Sequence, residues 1–317
     1  DKALVSIGRR ARTAGLGLEE VGVLTERGAI VTDEFCQYRN SFVTVSDIYD
    51  GEVQNYLAPR GEWKSASAVD APGKLTERYS PCVRVMERLK VREVIHTPAG
   101  ETVLDFGQNI AGYIQLSITA KEGQTLKLRF GETFDKDGEF TQKNIQCATK
   151  KRQTPLQEIV YNAKEGQNDY KTKFAIFGFQ YALIETDIEW NPEDFTAIAV
   201  YSDMEETLSF DCSHPLINKF VENTRWSAKN NHADVPTDCP TRERHGWTGD
   251  AQIFCDTASY FFDYASFARK YLRDMCDGRR RNGVFRQITP MGGIDFYMNA
   301  MDGSAGWSDA GVFIPYR

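Results

Sequence analysis

Between Val235 and Gln252 the chain reads VPTDCPTRERHGWTGDAQ, gathering three acids (Asp238, Glu243, Asp250), two arginines (Arg242, Arg244), His245 and Trp247. A carboxyl in a Trp-lined concavity is partly desolvated, which favours its protonated form and can make it a general acid. An indole face beside glycines is also a surface on which sugar rings stack, although it serves equally well as a core anchor. The same run has a plainer reading, as a solvated connection in which Asp250 only suits a helix dipole. Pro236 and Pro240 exclude a continuous helix, because each lacks an amide donor and pushes its predecessor toward an extended backbone. Thr248-Gly249-Asp250 reads as the cap and first turn of a helix that continues through Ala251, Ile253 and Phe254. The acids therefore sit on an irregular segment between regular ones, where scaffolds place their chemistry.

The segments before and after must position that loop. Upstream, Ser213 is a fitting N-cap and Pro215 suits a first helical turn. Leu216, Ile217, Phe220, Val221 and Thr224 then share one face at helical spacing. Downstream, Ile253, Phe254, Ala258, Phe261 and Phe262 form a second stripe. Ala265, Ala268, Tyr271, Leu272 and Met275 form a third, with a break near Asp263. Before Ser202 the period is two. Tyr113–Ile118 and Thr125–Phe130 alternate apolar and polar side chains on either side of a turn at Lys121-Glu122-Gly123. Phe134–Glu139 is a tight turn, and Tyr170–Ile184 supplies further strands, so an antiparallel β-sandwich is expected here. Gln108 and Asn109 are expected to satisfy backbone groups. Short runs at Ala29–Val31, Phe42–Val45 and Ala58–Trp63, broken by Gly, Pro and Asp, read as a first β-domain; Arg9–Gly17 reads as a loop of little order.

Composition narrows the function classes. Of 317 residues, 26% are charged and 41% hydrophobic, which is an ordinary globular balance. A net charge of −7 argues against nucleic acid, and Arg279-Arg280-Arg281 between Gly278 and Gly283 reads as a solvated turn. No apolar run is long enough to span a membrane. Seven cysteines without a CxxC pair make a full disulfide framework unexpected, and four scattered histidines give no metal-ligand spacing. No metal and no cofactor are expected.

The acidic run resembles the signature of bacterial α-L-rhamnosidases of glycoside hydrolase family 78, written DCPQRDERLGWTGDAQ. This chain is one residue shorter between the arginine and the glutamate, with His245 in place of leucine. Other stretches are similar to family elements: Ser46–Glu52 (SDIYDGE), Asp105–Asn109 followed by Gly112 (DFGQN), and Phe177–Tyr181 (FGFQY, with Phe177 in place of histidine). Tyr201-Ser202-Asp203, Cys212–Asn218 and Gly306–Ala310 (GWSDA) extend the likeness. The resemblance implies a multidomain β + α protein in which antiparallel β-sandwich domains precede the first helices of an (α/α)6 barrel. The expected division is a partial N-terminal β-domain at 1–85, a β-sandwich at 86–203 and the start of the catalytic barrel at 204–317. About a hundred residues after Ser213 hold three or four helices, so the barrel is expected to be incomplete in this chain. Open helix faces would then invite self-association.

The resemblance also implies an inverting glycosidase acting on rhamnose-containing oligosaccharides or glycosides. By match to the motif, Glu243 is the general acid and must carry a proton near neutral pH, which ionised neighbours would help it to keep. Asp238 and Asp250 match the acids that hold rhamnose hydroxyls. Arg242 is placed with the substrate-binding residues, and Trp247 and Trp307 match the aromatics of the sugar site. The family's general base is a glutamate far downstream that no residue here matches, so this chain alone is expected to be inactive. Two other readings stay open: a non-catalytic carbohydrate-binding β-sandwich protein, and an (α/α)6 glycosidase for another sugar or a uronic acid. For an acidic sugar, Arg242, Arg244 and His245 would be apt, though arginines beside carboxylates more often neutralise and orient them. Linkage, aglycone and compartment, whether cytoplasmic or exported, are left open.

Overall fold

A computed structural model describes residues 42–59, 77–147, 154–291 and 301–317, together with the two-residue strands at 25–26, 29–30, 37–38 and 64–65. Arg9–Gly17, Val31 and 60–63 of the expected first β-domain lie outside these residues. Ten strands form one curled sheet: β1 (Val43–Asp47), β2 (Gly51–Asn55), β3 (Val83–Lys90), β4 (Glu93–His96), β5 (Thr102–Ala120), β6 (Thr125–Gly131), β7 (Glu158–Asn162), β8 (Gly166–Tyr170), β9 (Phe177–Thr186) and β10 (Phe195–Ser202). Their order is β1-β2-β7-β6-β9-β5-β10-β3, with β4 and β8 also paired to β5. All pairs are antiparallel except β2 with β7. The sheet thus draws strands from both sides of residue 85. Among the described residues four helices follow: α1 (Pro215–Asn230), α2 (Thr248–Phe261), α3 (Ala265–Asp277) and α4 (Ala310–Tyr316). None is long and apolar enough to cross a membrane.

The alternation read from sequence is what closes the β-core. Along β5, Ile114, Leu116, Ile118 and Ala120 are buried while Gln115, Ser117 and Thr119 face outward. They meet Leu126, Leu128 and Phe130 of β6 and Phe177 and Phe179 of β9, where the Phe130 and Phe177 rings stack at 4.5 Å. The family-like stretches supply the irregularities. Register across β5 and β9 jumps from Ile110–Phe179 to Asp105–Tyr181, so Phe106–Asn109 bulge opposite Gln180 alone. Asp105 Oδ1 accepts from Gly107 N (2.7 Å) and from Gln180 Nε2 (2.9 Å), which holds the bulge in shape. Gln108 donates to the Asn109 carbonyl at 2.9 Å, whereas the Asn109 amide reaches a carboxylate, Glu132 Oε1, at 3.0 Å. In SDIYDGE each acid serves backbone or hydroxyl donors. Asp47 accepts from Tyr49 N and Asp50 N (both 2.8 Å), and Asp50 accepts from the Thr154 hydroxyl (2.8 Å). Buried Glu52 accepts from Lys173 N, Phe174 N and the Tyr170 hydroxyl.

The bulge docks the first helix. Asn230, at the end of α1, accepts from Ala111 N and donates to the Asn109 carbonyl, both at 2.9 Å. One residue back, Lys229 bonds Glu87 of β3 and Glu206 at 2.8 Å each and lies 4.9 Å over the Trp226 ring. The helix is therefore anchored by its C-terminal half. Part of its apolar stripe is open: Leu216, Ile217 and Phe220 are exposed, at 75%, 46% and 69%, as is Ile253 of α2 at 79%. Periodicity specifies that a face is apolar, while its burial depends on what packs against it, and among the described residues nothing covers this one. Ser213 is not the cap of α1 either. His214 holds that position without a capping bond, and Asn218 reaches back to Cys212 N (2.9 Å) and O (2.8 Å) instead. At α2 the cap is Trp247 rather than Thr248, whose hydroxyl is drawn to the carbonyls of Arg286 and Gln287. The second and third stripes otherwise form a core of their own, with Ala258, Phe261, Phe267, Tyr271 and Met275 buried. Arg280, read as part of a solvated turn, bonds Asp302 Oδ2 at 2.8 Å. Among the described residues six cysteines are free thiols.

His232 packs in this helical core against Phe254, Tyr264 and Phe267. Its Nδ1 donates to the Ala228 carbonyl at 2.7 Å, leaving Nε2 to accept from the Tyr264 hydroxyl at 3.2 Å. Burial pulls the imidazole down to about 4. The unfolded chain binds that proton near the ordinary value of about 6.5, so stability contributed above this value is lost as pH falls from about 6.5 to 4, on the order of 3 kcal/mol. Urea denaturation across this range should show the loss, and His232→Gln should flatten it.

Candidate active site

The loop from Val235 to Trp247 is folded by its own polar groups and then pinned to the sheet. Asp238 N donates to the His245 carbonyl (3.2 Å), and Asp238 Oδ1 accepts from His245 N (3.0 Å), closing a ring of residues around Glu243. Glu243 N donates to Cys239 Sγ at 3.2 Å within that ring. The chain turns at Arg244, whose φ is +53°, a left-handed conformation held here by side-chain anchoring. The loop also lies so close on β9 that a Cβ added at Gly178 would stand 2.3 Å from Thr241 Cγ2.

Arg244 does not neutralise or orient the carboxylates as its sequence neighbourhood suggests. Its guanidinium runs away from them into the β-domain, bonding Gln157 Oε1 (2.8 Å) and the carbonyls of Ile176 (2.6 Å), Thr241 (2.9 Å) and Ile48. It also lies over the Tyr49 ring at 5.2 Å. Burial lowers it to about 10, still charged at neutral pH. The Tyr49 hydroxyl completes the joint by donating to the Glu243 carbonyl at 2.5 Å.

All six residues singled out for the site, Asp238, Arg242, Glu243, Trp247, Asp250 and Trp307, line one open cavity of about 530 Å³. Glu243 is held at both oxygens. Oε2 accepts from Trp247 Nε1 at 2.8 Å, four residues along the chain, and Oε1 meets Arg242 Nη2 at 3.0 Å. Trp307 arrives from the turn before α4 and packs so closely on α2 that a Cβ added at Gly249 would lie 2.8 Å from its indole. Only glycine fits there. Gln252 Nε2 holds the Gly306 carbonyl next to it at 2.5 Å. Asn144, which sequence reasoning missed, enters the cavity from the β-domain, with its amide 3.3 Å from Glu132 Oε2. Nothing in its local sequence marks it. Tyr49 lay within a stretch already singled out, but its distance of 194 residues from Glu243 hid the contact.

Three acids, one exposed arginine and two indoles in one concavity can bind several hydroxyls, stack a ring face and move a proton. Among the described residues no group of three His, Cys, Asp or Glu side chains is placed to hold a metal ion.

Two family models match the chain. The bacterial α-L-rhamnosidase concanavalin-like domain covers residues 95–201, and the bacterial α-L-rhamnosidase 6 hairpin glycosidase domain covers 205–317. The chain belongs to the bacterial α-L-rhamnosidase family. It is 32% identical to an α-L-rhamnosidase of Streptomyces avermitilis over 78% of this chain and 23% of that protein. The crystal structure of the Streptomyces avermitilis α-L-rhamnosidase complexed with L-rhamnose superposes with a TM-score of 0.76 at 28% identity, over 87% of this chain and 27% of the other. The native rhamnosidase of Aspergillus terreus gives 0.78 at 29%, over 91% and 34%. The chain thus spans between 23% and 34% of the length of these relatives. A separate short match, 42% over 52 residues, is to a dihydrolipoyl dehydrogenase of Bacillus subtilis and covers 16% of the chain.

Asp250, in the first turn of α2, is raised above the usual aspartate range, first by desolvation and then by the charges of Asp238 and Glu243. A raised carboxyl favours the folded state while protonated and loses that contribution as pH rises through its folded value. Asp250→Asn should therefore raise the melting temperature at pH 7, and the gain should vanish below about pH 4, where both states are protonated. Thermal denaturation at the two pH values measures it.

Proposed function

We propose that the full-length protein containing this chain is an inverting glycosidase that removes terminal α-L-rhamnose from rhamnosides, with Glu243 as general acid. The observation that carries this reading is the convergence of Asp238, Arg242, Glu243, Trp247, Asp250 and Trp307 on one cavity in a chain of the rhamnosidase family. Trp247 Nε1 already donates to Oε2, so a proton for transfer belongs on Oε1. Oε1 is the oxygen that meets Arg242, whose side chain is 48% exposed. Arg242 therefore has to leave Oε1 before the acid can act, and its exposure leaves it free to turn toward substrate.

In this mechanism Glu243 passes its proton to the glycosidic oxygen as the bond to the sugar breaks through an oxocarbenium-like transition state. A water activated by a second carboxylate attacks the opposite face; inverting enzymes keep the two carboxyls roughly 6.5–9.5 Å apart to admit it. We place that base outside these 317 residues, in keeping with the share of its relatives' length that the chain covers. Asp238 has Oδ1 committed to His245 N, which leaves Oδ2 for a sugar hydroxyl. Asp250 takes a second hydroxyl, and the indoles of Trp247 and Trp307 suit the apolar C5-methyl side of a 6-deoxy sugar. The proposal includes self-association of the isolated chain through the exposed faces of α1 and α2, which sedimentation would reveal.

Release of p-nitrophenol from its α-L-rhamnoside tests the assignment. Glu243→Gln in the full-length protein should lower kcat by about 10²–10⁴-fold, the usual contribution of general acid catalysis. Unchanged cleavage would remove Glu243 from this role. No cleavage by the unmodified full-length protein would favour a carbohydrate-binding role or another sugar.

A further inference from the structure

The carboxylate cavity has one wall residue from the other half of the protein. Asn144 lies in a single 3-10 turn at Lys143–Ile145, between β6 and β7 in the chain. Its neighbours tie that turn to the β-domain. Gln142 Nε2 donates to the carbonyls of Phe130 (2.8 Å) and Leu156 (2.7 Å), Gln146 Nε2 donates to that of Pro155 (2.9 Å), and Ile145 is buried. Asn144 is left exposed, at the wall of the cavity that holds Asp238, Glu243 and Asp250.

Its amide is held from behind. Asn144 Nδ2 donates to Glu132 Oε2 (3.3 Å), while Glu132 Oε1 accepts from Asn109 Nδ2 (3.0 Å) in the bulge of β5. The Asn109 carbonyl in turn accepts from Asn230 of α1, so the bulge that docks the helix also steadies this side chain. A carboxylate offers acceptors, and it therefore fixes the nitrogen end of the amide toward itself. The second N–H and Oδ1 of Asn144 have no partner among the described residues.

That N–H is what the rest of the wall lacks. A sugar hydroxyl that gives its proton to a carboxylate still has lone pairs, which lose water on binding and need a donor. Ionised Asp238 and Asp250 supply acceptors only. Trp247 Nε1 is committed to Glu243, the Trp307 nitrogen lies against Gly249, Thr241 is buried, and Arg242 pairs with Glu243. We propose that Asn144 is a substrate-binding residue contributed by the β-domain, its amide donating to a ring hydroxyl of the sugar while Glu132 orients it. This rests on the reading of the cavity as the rhamnose site. A site built to bond a hydroxyl leaves its own polar group unpaired when that hydroxyl is missing, so Asn144 selects among sugars as well as binding one.

The test uses the full-length protein with p-nitrophenyl α-L-rhamnoside and its 2-, 3- and 4-deoxy analogues. Asn144→Ala, at an exposed position, should lower kcat/KM on the rhamnoside by about three- to tenfold, the effect of one neutral hydrogen bond. Comparing variant with wild type on the same substrate cancels the intrinsic reactivity of each analogue. The loss should vanish on the analogue that lacks the bonded hydroxyl and persist on the others. Glu132→Gln should show a smaller loss with the same pattern, because the amide is then no longer fixed with its nitrogen toward residue 132. Wild-type cleavage of the rhamnoside by Asn144→Ala would overturn the proposal. So would an equal loss on all the substrates, which is the outcome of a structural role without contact. A different pattern for Glu132→Gln would remove Glu132 as the orienting partner. Failure of the unmodified protein to cleave the rhamnoside would overturn the glycosidase reading itself.

Discussion

The guanidinium of Arg244 joins the two halves of this protein. It leaves a loop rich in carboxylates, passes under Tyr49 and ends among Gln157 and the carbonyls of Ile48 and Ile176 in the β-domain. Desolvating a cation is costly, and here the cost is offset by several charge-assisted hydrogen bonds and one aromatic face. Such an arrangement is stringent about geometry. A lysine would bring the charge without the planar fork that meets separate acceptors at once. Because Arg244 adjoins Glu243, fixing the arginine fixes the backbone that carries the acid, and the Tyr49 hydroxyl fixes it a second time.

The β-domain is therefore more than a neighbour of the helices. Its bulge at Phe106–Asn109 receives Asn230 at the end of α1, and its strands β3 and β10 meet the Lys229 cluster. Its Asn144 enters the carboxylate cavity, while Tyr49, Cys147, Thr154 and Pro155 build the wall beyond Glu243. A site assembled across such a joint needs both parts held in register. That accounts for the concentration of polar and glycine contacts at the seam, including the close approach of Gly178 to Thr241.

On the helical side, Trp247 and Asp250 belong to the start of an element rather than to the loop that carries Asp238 and Glu243. Trp247 caps α2 and Asp250 lies in its first turn, while Trp307 packs on Gly249 from the turn before α4. Placing an indole at the cap puts its N–H four residues from Glu243, where it occupies Oε2 while Oε1 meets Arg242.

The amino-acid sequence by itself determined the local and the periodic. Alternation along Tyr113–Ile118 and Thr125–Phe130 specified strands, because one buried face demands a period of two. The stripe through Ala265, Ala268, Tyr271 and Met275 specified a helix for the corresponding reason. The run from Asp238 to Asp250 was short enough for its spacing alone to bring the acids and Trp247 together, and its likeness to the rhamnosidase signature was legible there. Tertiary structure decided what depends on partners distant in the chain. Arg244 turned from the carboxylates to the sheet because acceptors 68 to 196 residues away offered it a better-matched set. Trp247 rather than Thr248 became the cap because the carbonyls near residue 287 drew the threonine hydroxyl. The face of α1 was readable as apolar from its period, and open helix faces were expected from how few helices the chain holds, since periodicity describes one surface and burial requires two. Asn144 left no local signal at all, because its place in the cavity exists only where two separate stretches of chain meet.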